Sequence, residues 1–418
     1  MISKIISNIR NQERFMSSTI NLIASENKLS YLTRESLMSD YGNRVAEGWL
    51  EQRLFPGLKY YDEIENIGIN LAKKMFKAEF ADIRPISGTI ANMVVYAAFT
   101  SAGDTILATS IKDGGHISMS GATPRNVFNL NVQKIPMVKD QINVIDIEMA
   151  LKEIKIHKPK LVILGGSVLI KKLEIKEICK VAHDNDAIVV FDAAHISGLI
   201  IGKQYTNPFD DGVDIITTST CKTIPGPQHG LILTNKKYGE IIKRTTFPAL
   251  HSSHHLHHTV ATIITLYEMS IFGNAYAKQI RRNITRLADN LNKNGFKIYS
   301  YEKDKFTDTH MIMLLSENAT NDERMLEKAG ILVNKNLLPW DESYKTPSAL
   351  RIGVPEVTRI GMQERNMDDI AKYMHRVLIL GENPAKIRLD VKIYIEQFKN
   401  ICFCYPKSHS LWGQIEYY

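Results

Sequence analysis

The chain has 418 residues, 44% of them hydrophobic and 23% charged, with a formal net charge of +7 and four cysteines. This composition is ordinary for a soluble globular protein with a sizeable core, and so few cysteines exclude a disulfide framework. The excess positive charge comes from scattered lysines, which gives no support for a nucleic-acid partner. The longest apolar stretch, residues 161–170, is about half as long as a membrane span requires. We therefore expect neither a nucleic-acid-binding protein nor a membrane protein.

Residues 1–10 carry isoleucines at positions 2, 5, 6 and 9, a spacing that predicts an amphipathic helix. The segment lacks the continuous apolar core of a signal peptide. The simplest expectation is a cytoplasmic protein that acts on a small molecule.

Strand and helix patterns alternate between residues 80 and 250, which predicts an α/β fold with a mainly parallel sheet wrapped by helices. The apolar runs are nearly continuous, as expected for strands buried on both faces. The predicted strands cover residues 105–109, 161–164, 187–191, 214–218 and 230–234, and a predicted helix covers residues 173–183. Further along, we expect a long helix at 259–294, strands at 310–315 and 331–333, a helix at 367–380, and a short strand holding Cys402 and Cys404.

Lys222 lies among hydroxyl residues, after the strand pattern at 213–216 and before a turn rich in glycine and proline. Asp192 and His195 end the preceding apolar strand. Enzymes that use pyridoxal phosphate (PLP) need such a pair, because a lysine amine binds the cofactor aldehyde and a carboxylate keeps the pyridine nitrogen protonated. Either residue alone would be an ordinary surface lysine or strand-end aspartate. Their spacing on consecutive strands favours a PLP site.

Two glycine-containing segments add to this pattern. Ser87, Gly88 and Thr89 precede an apolar helix at 90–99, where helix N–H groups and hydroxyls would bind a phosphate, although a simple helix cap explains them equally well. Gly114 and Gly115 precede His116, whose imidazole could stack on a flat ring. Turns use Gly-Gly-His freely, so this second motif is weak when taken alone.

Three charged residues are candidates for substrate chemistry. Glu26 and Glu47 lie early in the chain, and either one is a catalytic carboxylate or a solvated surface group, which the composition does not decide. Arg351 lies in an apolar strand pattern, where burial favours an anionic partner. That partner is either a substrate carboxylate or a structural acid.

Five histidines fall within residues 251–258. Imidazole is a common metal ligand, but no Asp, Glu or Cys accompanies these histidines and consecutive residues cannot all face one ion. We therefore predict no metal site.

Seven segments, taken in order between residues 21 and 380, resemble serine hydroxymethyltransferase, a fold-type-I PLP enzyme. They are residues 22–27, 46–48, 87–89, 113–116, 191–195, 217–227 and 350–355, while residues 254–258 and 334–341 look like the archaeal branch. The resemblance implies a mainly parallel seven-stranded sheet sandwiched by helices, plus a smaller α/β C-terminal domain. We expect an N-terminal helical arm at residues 1–30, a large PLP-binding domain at 31–270 and a small domain at 271–418.

The resemblance also implies a role for each matched residue. Lys222 matches the lysine that binds PLP, Asp192 the partner of the pyridine nitrogen, and His116 the imidazole stacked on the ring. Ser167 and His195 match groups near the ring hydroxyl. The remaining cofactor contacts implied are Ser87, Gly88, Thr89, Ser219, Ser252 and Ser253, the last two standing where the family uses glycines of the neighbouring subunit.

On the substrate side, Ser25 and Arg351 match residues that hold the carboxylate, and Glu47 matches the residue that moves protons on the serine hydroxyl. The one-carbon unit would pass to a tetrahydropterin, at positions like Ile111, Gly115, Ile117 and Asn336. Because the family shares its active sites across a subunit interface, a homodimer is implied.

Three residues depart from the family pattern. Val45 and Phe55 stand where the family usually has tyrosines, and Cys221 replaces the usual histidine before the lysine. These three departures alter the site while sparing the cofactor, and they motivate an alternative, a pterin-independent aldolase or transaldolase acting on threonine or another β-hydroxy amino acid. A catalytically silent binding subunit is a further alternative, which the presence of Lys222 and Asp192 disfavours.

Overall fold

The computed structural model describes residues 1–343 and 345–412. The helices are α1 (Ile2–Ser17), α2 (Tyr31–Ser36), α3 (Lys59–Phe76), α4 (Gly88–Phe99), α5 (Ile117–Ser120), α6 (Ile147–His157), α7 (Lys176–His183), α8 (Ser197–Ile201), α9 (Lys236–Arg244), α10 (Leu256–Lys293), α11 (Ala319–Lys328), α12 (Pro355–Arg359), α13 (Glu364–Leu378) and α14 (Pro384–Ile395). The strands are β1 (Ile20–Asn21), β2 (Gly48–Trp49), β3 (Gln52–Arg53), β4 (Phe80–Asp82), β5 (Thr105–Ala108), β6 (Asn131–Lys134), β7 (Leu161–Gly165), β8 (Ile188–Asp192), β9 (Ile215–Ser219), β10 (Gly230–Thr234), β11 (Met311–Leu315), β12 (Ile331–Leu332), β13 (Asn334–Asn336) and β14 (Ala349–Gly353).

The main sheet has seven strands in the order β4-β10-β9-β8-β7-β5-β6. The five strands from β5 to β9 run parallel, whereas β10 is antiparallel to both β9 and β4. The predicted mainly parallel seven-stranded sheet is therefore confirmed. Every residue of β7, β9 and β10 is buried, which explains why their apolar runs are continuous in the sequence.

Helix α4 covers the sheet with an apolar face. Ala91, Val94 and Val95 pack into one core cluster with residues of the central strands, among them Val190 and Ile215. Helix α7 begins at Lys176, three residues later than predicted, because the backbone of Ile175 lies outside the helical range (φ −121°, ψ −6°).

The described chain folds into two compact units, which we call the large unit (residues 27–277 and 403–412) and the small unit (residues 1–26 and 278–402). In the small unit, β1 pairs in parallel with β12, so that Ile20 lies opposite Ile331. A second sheet has the order β11-β14-β13 and is antiparallel throughout. The predicted boundaries at residues 30 and 270 stay a prediction.

Helix α1 confirms the predicted amphipathic N-terminal helix, and its isoleucines are exposed, with Ile2 at 66%. The expected strand at Cys402 and Cys404 is wrong. Phe403 between them adopts a left-handed conformation (φ 58°), so the backbone turns there instead of extending. Within the described residues, no helix is both long and apolar enough to cross a membrane.

Candidate active site

Four neighbouring parallel strands of the large unit, β5, β7, β8 and β9, end at the same edge of the sheet. Their register brings Gly165, Asp192 and Thr217 side by side in the last pairs of β7, β8 and β9. Ligands of open α/β sheets bind at such carboxyl-terminal edges. The sequence-predicted residues His116, Ser167, Asp192, His195, Ser219 and Lys222 all end or follow these four strands.

Asp192 is 5% exposed at the end of β8. Its Oδ1 accepts a hydrogen bond from the N–H of Ala194 (3.0 Å), and its Oδ2 accepts one from the side-chain amide of Asn92 (2.9 Å). A carboxylate has about four acceptor positions, so these two bonds orient it and leave it able to accept from a further donor. A protonated ring nitrogen is a donor of that kind.

Lys222 follows β9 in a loop that is tied to its surroundings through the main chain. Asn27 donates from its side-chain amide to the carbonyl of Lys222 (2.5 Å) and to the hydroxyl of Tyr276 (2.8 Å). The next residue, Thr223, donates from its hydroxyl to the carbonyl of His195 (2.9 Å). The lysine loop is thus fixed to the loop that follows Asp192, which restricts where the amine can reach.

The N-terminus of α4 is where the sequence predicts phosphate contacts. Ser87 caps the helix by accepting from the N–H of Ile90 (3.2 Å), and Gly88 lies so close to β9 that an added Cβ would be 3.3 Å from Cβ of Ser219. The Ser219 hydroxyl is buried and has no hydrogen-bond partner among the described residues. Such a group is costly unless a ligand satisfies it. The residues therefore fit a phosphate, with N–H groups at the start of α4 and a buried hydroxyl opposite them.

Two glycine loops meet beside this edge. The carbonyl of Gly114 (φ 96°) accepts from the N–H groups of Ser167 (2.7 Å) and Val168 (3.0 Å). An added Cβ at Gly115 would lie 2.1 Å from the carbonyl oxygen of Thr109, so only glycine fits. The two hydrogen bonds to Gly114 join the loop that carries His116 to the loop that carries Ser167.

His116 is half-buried at the start of α5, where it acts as the helix cap. Its Nδ1 lies 2.7 Å from the hydroxyl of Ser118 and accepts from the N–H of Ser118 (3.2 Å). A neutral imidazole that accepts at Nδ1 carries its hydrogen on Nε2.

Sequence reasoning missed Asn92, which connects several of these residues. Its side chain is 2% exposed and bonds Asp192, Ser118 (2.9 Å) and Thr217 (2.6 Å). The only signal was an amide inside an otherwise apolar helical pattern, and that pattern does not reveal what the amide faces.

Glu47 lies half-buried before the β2–β3 hairpin. The hairpin is anchored by Arg53, which donates to the carbonyl of Gly48 (2.9 Å) and pairs with Asp62 (2.8 Å) and Glu65. Burial raises the pKa of Glu65 to about 7 against the opposing effect of Arg53. This buried support fixes the main chain beside Glu47.

Phe55 follows the hairpin and is 43% exposed, and Val45 before it is 42% exposed. Ser252 is exposed and Ser253 half-buried in the segment before α10. In the single chain these predicted site residues are thus largely open to solvent, unlike the residues at the strand ends.

Ser25 and Arg351 belong to the small unit. Arg351 is 8% exposed in β14 and donates from Nε to the side chain of Asn334 (3.2 Å), and burial lowers its pKa to about 10. The segment that carries Ser25 passes the end of this strand, because the N–H of Gly353 donates to the carbonyl of Leu22 (2.8 Å). The small unit therefore places Ser25 close to the strand of a buried guanidinium, which favours an anionic partner.

The histidine-rich segment before and within α10 is packed rather than open. His254 is 4% exposed, with Nε2 2.6 Å from the hydroxyl of Tyr61, and burial lowers its pKa well below the usual value. Nearby His229 donates from Nε2 to the carbonyl of Ile83 (2.7 Å), and burial lowers its pKa to about 4. In the part of the chain that the structure describes, no three His, Cys, Asp or Glu side chains are arranged to hold a metal ion.

Comparison with known proteins gives a consistent result. The family model described as serine hydroxymethyltransferase matches residues 2–374. Proteins named serine hydroxymethyltransferase are similar to this chain in Thermococcus onnurineus (43% identity, 96% of each chain) and Korarchaeum cryptofilum (41% identity, 97% of each chain). A third, from Methanocaldococcus jannaschii, is 39% identical over 95% of this chain and 94% of its own. The chain belongs to the serine hydroxymethyltransferase family.

Proposed function

We propose that the protein is a PLP-dependent serine hydroxymethyltransferase that interconverts serine and glycine and transfers the one-carbon unit to a tetrahydropterin. The observation that carries this proposal is the pairing of a fixed lysine loop with a buried, oriented carboxylate on adjacent strands, beside a helix N-terminus that fits a phosphate. PLP and a tetrahydropterin are the cofactor and co-substrate of the family.

When bound, PLP supplies an electron-accepting ring next to the serine Cα. Lys222 would hold the cofactor covalently, and Asp192 would accept a hydrogen bond from the ring nitrogen and keep it protonated. Ser87, Gly88, Thr89 and Ser219 would bind the phosphate. His116 would lie against the ring, with Ser167 and His195 near its hydroxyl. We assign this chemistry to the large domain of residues 31–270.

We assign the binding and protonation of the substrate to residues that do not lie at the ends of β5, β7, β8 and β9. Glu47 would accept the proton of the serine hydroxyl when the bond between Cα and Cβ breaks, and would return a proton in the reverse direction. Arg351 would bind the substrate carboxylate with Ser25, since a buried guanidinium suits bidentate pairing.

We further propose a homodimer with shared active sites. Val45, Phe55 and Ser252 are exposed in the single chain although their positions match site residues, which is expected if they contribute to the site of the partner. A cytoplasmic location is also proposed, in keeping with four free cysteines in a reducing compartment.

A pterin-independent aldolase acting on threonine is the second candidate. Val45 and Phe55 favour it, because both lack the hydroxyl that the family usually has, and a lost site hydroxyl weakens stabilisation of the transition state. The same residues at the strand ends would serve either reaction.

The deciding experiment measures glycine formation by the PLP-loaded protein from L-serine and from L-threonine, each with and without a tetrahydropterin. We expect release from serine that depends on the pterin. Release from threonine alone, unaffected by pterin, would establish the aldolase. Absence of PLP binding would contradict both candidates.

A further inference from the structure

Asn92 bonds through both of its polar atoms. Its amide nitrogen donates to Oδ2 of Asp192 (2.9 Å) and to the hydroxyl of Ser118 (2.9 Å), and its oxygen accepts from the hydroxyl of Thr217 (2.6 Å). A carboxylate only accepts, so the nitrogen must face Asp192 and the amide can sit in one orientation only. A single side chain on α4 thereby contacts β8, β9 and α5.

The direction of these bonds determines which group the Ser118 hydroxyl can donate to. Its hydroxyl oxygen accepts from Asn92, which leaves the hydroxyl hydrogen to donate, and Nδ1 of His116 lies 2.7 Å away. The N–H of Ser118 donates to the same nitrogen (3.2 Å). Tyr96, one helical turn after Asn92, donates to the carbonyl of Ser118 (2.6 Å) and so holds the residue in place.

We propose that Asn92 is a positioning residue that couples Asp192 to His116. Through one amide it orients the carboxylate assigned to the pyridine nitrogen and, by way of Ser118, keeps the hydrogen of His116 on Nε2. This inference rests on the proposed PLP chemistry of the same site and adds a residue that acts on both assigned ring contacts at once.

A purely structural amide would behave differently. A buried amide in an apolar helix stabilises the fold only through its bonds, and removing it alone leaves the buried groups that it contacts without that partner, which lowers the free energy of unfolding. A structural role therefore predicts changes in unfolding alone. The coupling predicts changes in PLP affinity and in the His116 tautomer.

The test compares Asn92→Leu and Ser118→Ala with Met93→Leu, a half-buried neighbour on α4 outside this network. Each protein is freed of PLP and titrated with PLP to obtain Kd. The ¹⁵N shift of labelled PLP then reports the protonation of the ring nitrogen, and ¹⁵N-labelled histidine reports the tautomer of His116. Circular dichroism checks the fold.

We expect Asn92→Leu to raise Kd for PLP by about tenfold to a hundredfold and to move the ring-nitrogen shift toward the unprotonated form. Ser118→Ala should change Kd by less than about threefold but mix the His116 tautomers. Met93→Leu should match the wild type. Thr217→Val removes the hydrogen bond to the amide oxygen of Asn92 and should give a Kd between those of the wild type and Asn92→Leu. If Asn92→Leu does not fold, Thr217→Val provides the test of the proposal in its place.

Wild-type Kd and ring shift in a folded Asn92→Leu protein would overturn the proposal, as would an unchanged His116 tautomer in Ser118→Ala. None of these readouts requires turnover. A wild-type protein that binds PLP but does not act on serine would therefore contradict the proposed function and leave the role of Asn92 standing.

Discussion

Two polar regions of the large unit differ in what their buried groups face. At the strand ends, Asp192 and His116 are joined by Asn92 and Ser118 in a continuous chain of hydrogen bonds. The second region is the histidine-rich segment together with His229. There, His229 contacts the carbonyl of Ile83 and His254 contacts the hydroxyl of Tyr61, with no hydrogen bond between the two histidines among those of the described residues. Burial lowers the pKa of both histidines.

The difference teaches that burial alone does not mark a functional site. The strand-end network leaves acceptor positions of Asp192 and the hydroxyl of Ser219 available to a ligand. Nε2 of His229 and Nε2 of His254 each bond a group of their own chain, although Nδ1 of His229 has no hydrogen-bond partner among the described residues, and we assign both histidines to support of the fold. Substitutions at the strand ends should therefore change activity more than stability, and substitutions among the histidines should do the reverse.

The largest effect is expected for Lys222→Ala, because this change would remove the proposed covalent attachment of PLP. Glycine formation from serine should fall by about a thousandfold or more, with little change in the free energy of unfolding. Steady-state kinetics and urea unfolding measure the two quantities. Lys180→Ala, on the exposed side of α7, is the control and should leave both unchanged.

Glu47→Gln should lower kcat by about a hundredfold to ten-thousandfold, since the glutamine keeps the volume but cannot accept the proton. The hairpin should remain intact, because it is held through main-chain atoms and Arg53. Glu51→Gln, exposed on the same hairpin, is the matched control. An unchanged kcat for serine in Glu47→Gln would exclude the proposed role.

The third prediction concerns acid stability. The folded-state pKa of His229 lies near 4, below the ordinary value of 6.5, so the unfolded chain binds more protons between these values and stability falls as the pH drops from 6.5 toward 4. One such histidine costs about 2.5 kcal/mol between pH 8 and pH 4.5. In urea unfolding at several pH values, His229→Gln should remove this part of the pH dependence of the free energy of unfolding. His255 is exposed, and His255→Gln should leave the pH dependence unchanged.

Activity of the His229→Gln protein at pH 8 should stay within about threefold of the wild type. A large loss of turnover with normal stability would place His229 with the strand-end residues and so break the comparison.

Phe55→Tyr is expected to have the smallest effect. Restoring the family hydroxyl should lower KM for serine by about threefold to tenfold, the size of one hydrogen bond, and should not alter unfolding. Tyr60→Phe removes a hydroxyl from an exposed position nearby and serves as the control. A gain of activity with threonine instead would favour the aldolase alternative.

The sequence allowed five strands of the main sheet to be predicted within about one residue, because strands buried on both faces carry continuous apolar runs. The edge strands β4 and β6 were not predicted, and β6 is only partly buried. The pairing of Asp192 with Lys222 was predicted by the same logic, since parallel strands end at one edge, whereas the role of His116 was taken from the resemblance to the family. Asn92 could not be predicted in this way. Its role depends on which side of α4 meets β8 and β9, and a single amide in an apolar helix does not encode that direction.

The predicted strand at Cys402 and Cys404 failed for a related reason. Alternation over three residues carries little information, and a left-handed residue between the cysteines turns the chain. The conformation of so short a segment depends less on its residue pattern than on its contacts with the rest of the chain. Here the N–H of Cys402 donates to the carbonyl of Arg359 (2.7 Å).

The interleaved connectivity of the two units has a consequence for synthesis on the ribosome. β1 cannot pair until β12 has been made, since Ile20 lies opposite Ile331. The large unit gains Phe403 and Tyr405, which pack on Tyr276 and Tyr267, only after residues 278–402 of the small unit have been made. Domains commonly fold in order from the N-terminus as they emerge. Here neither unit can be completed in that way, so β1 remains without its partner strand until residues 331–332 have been made.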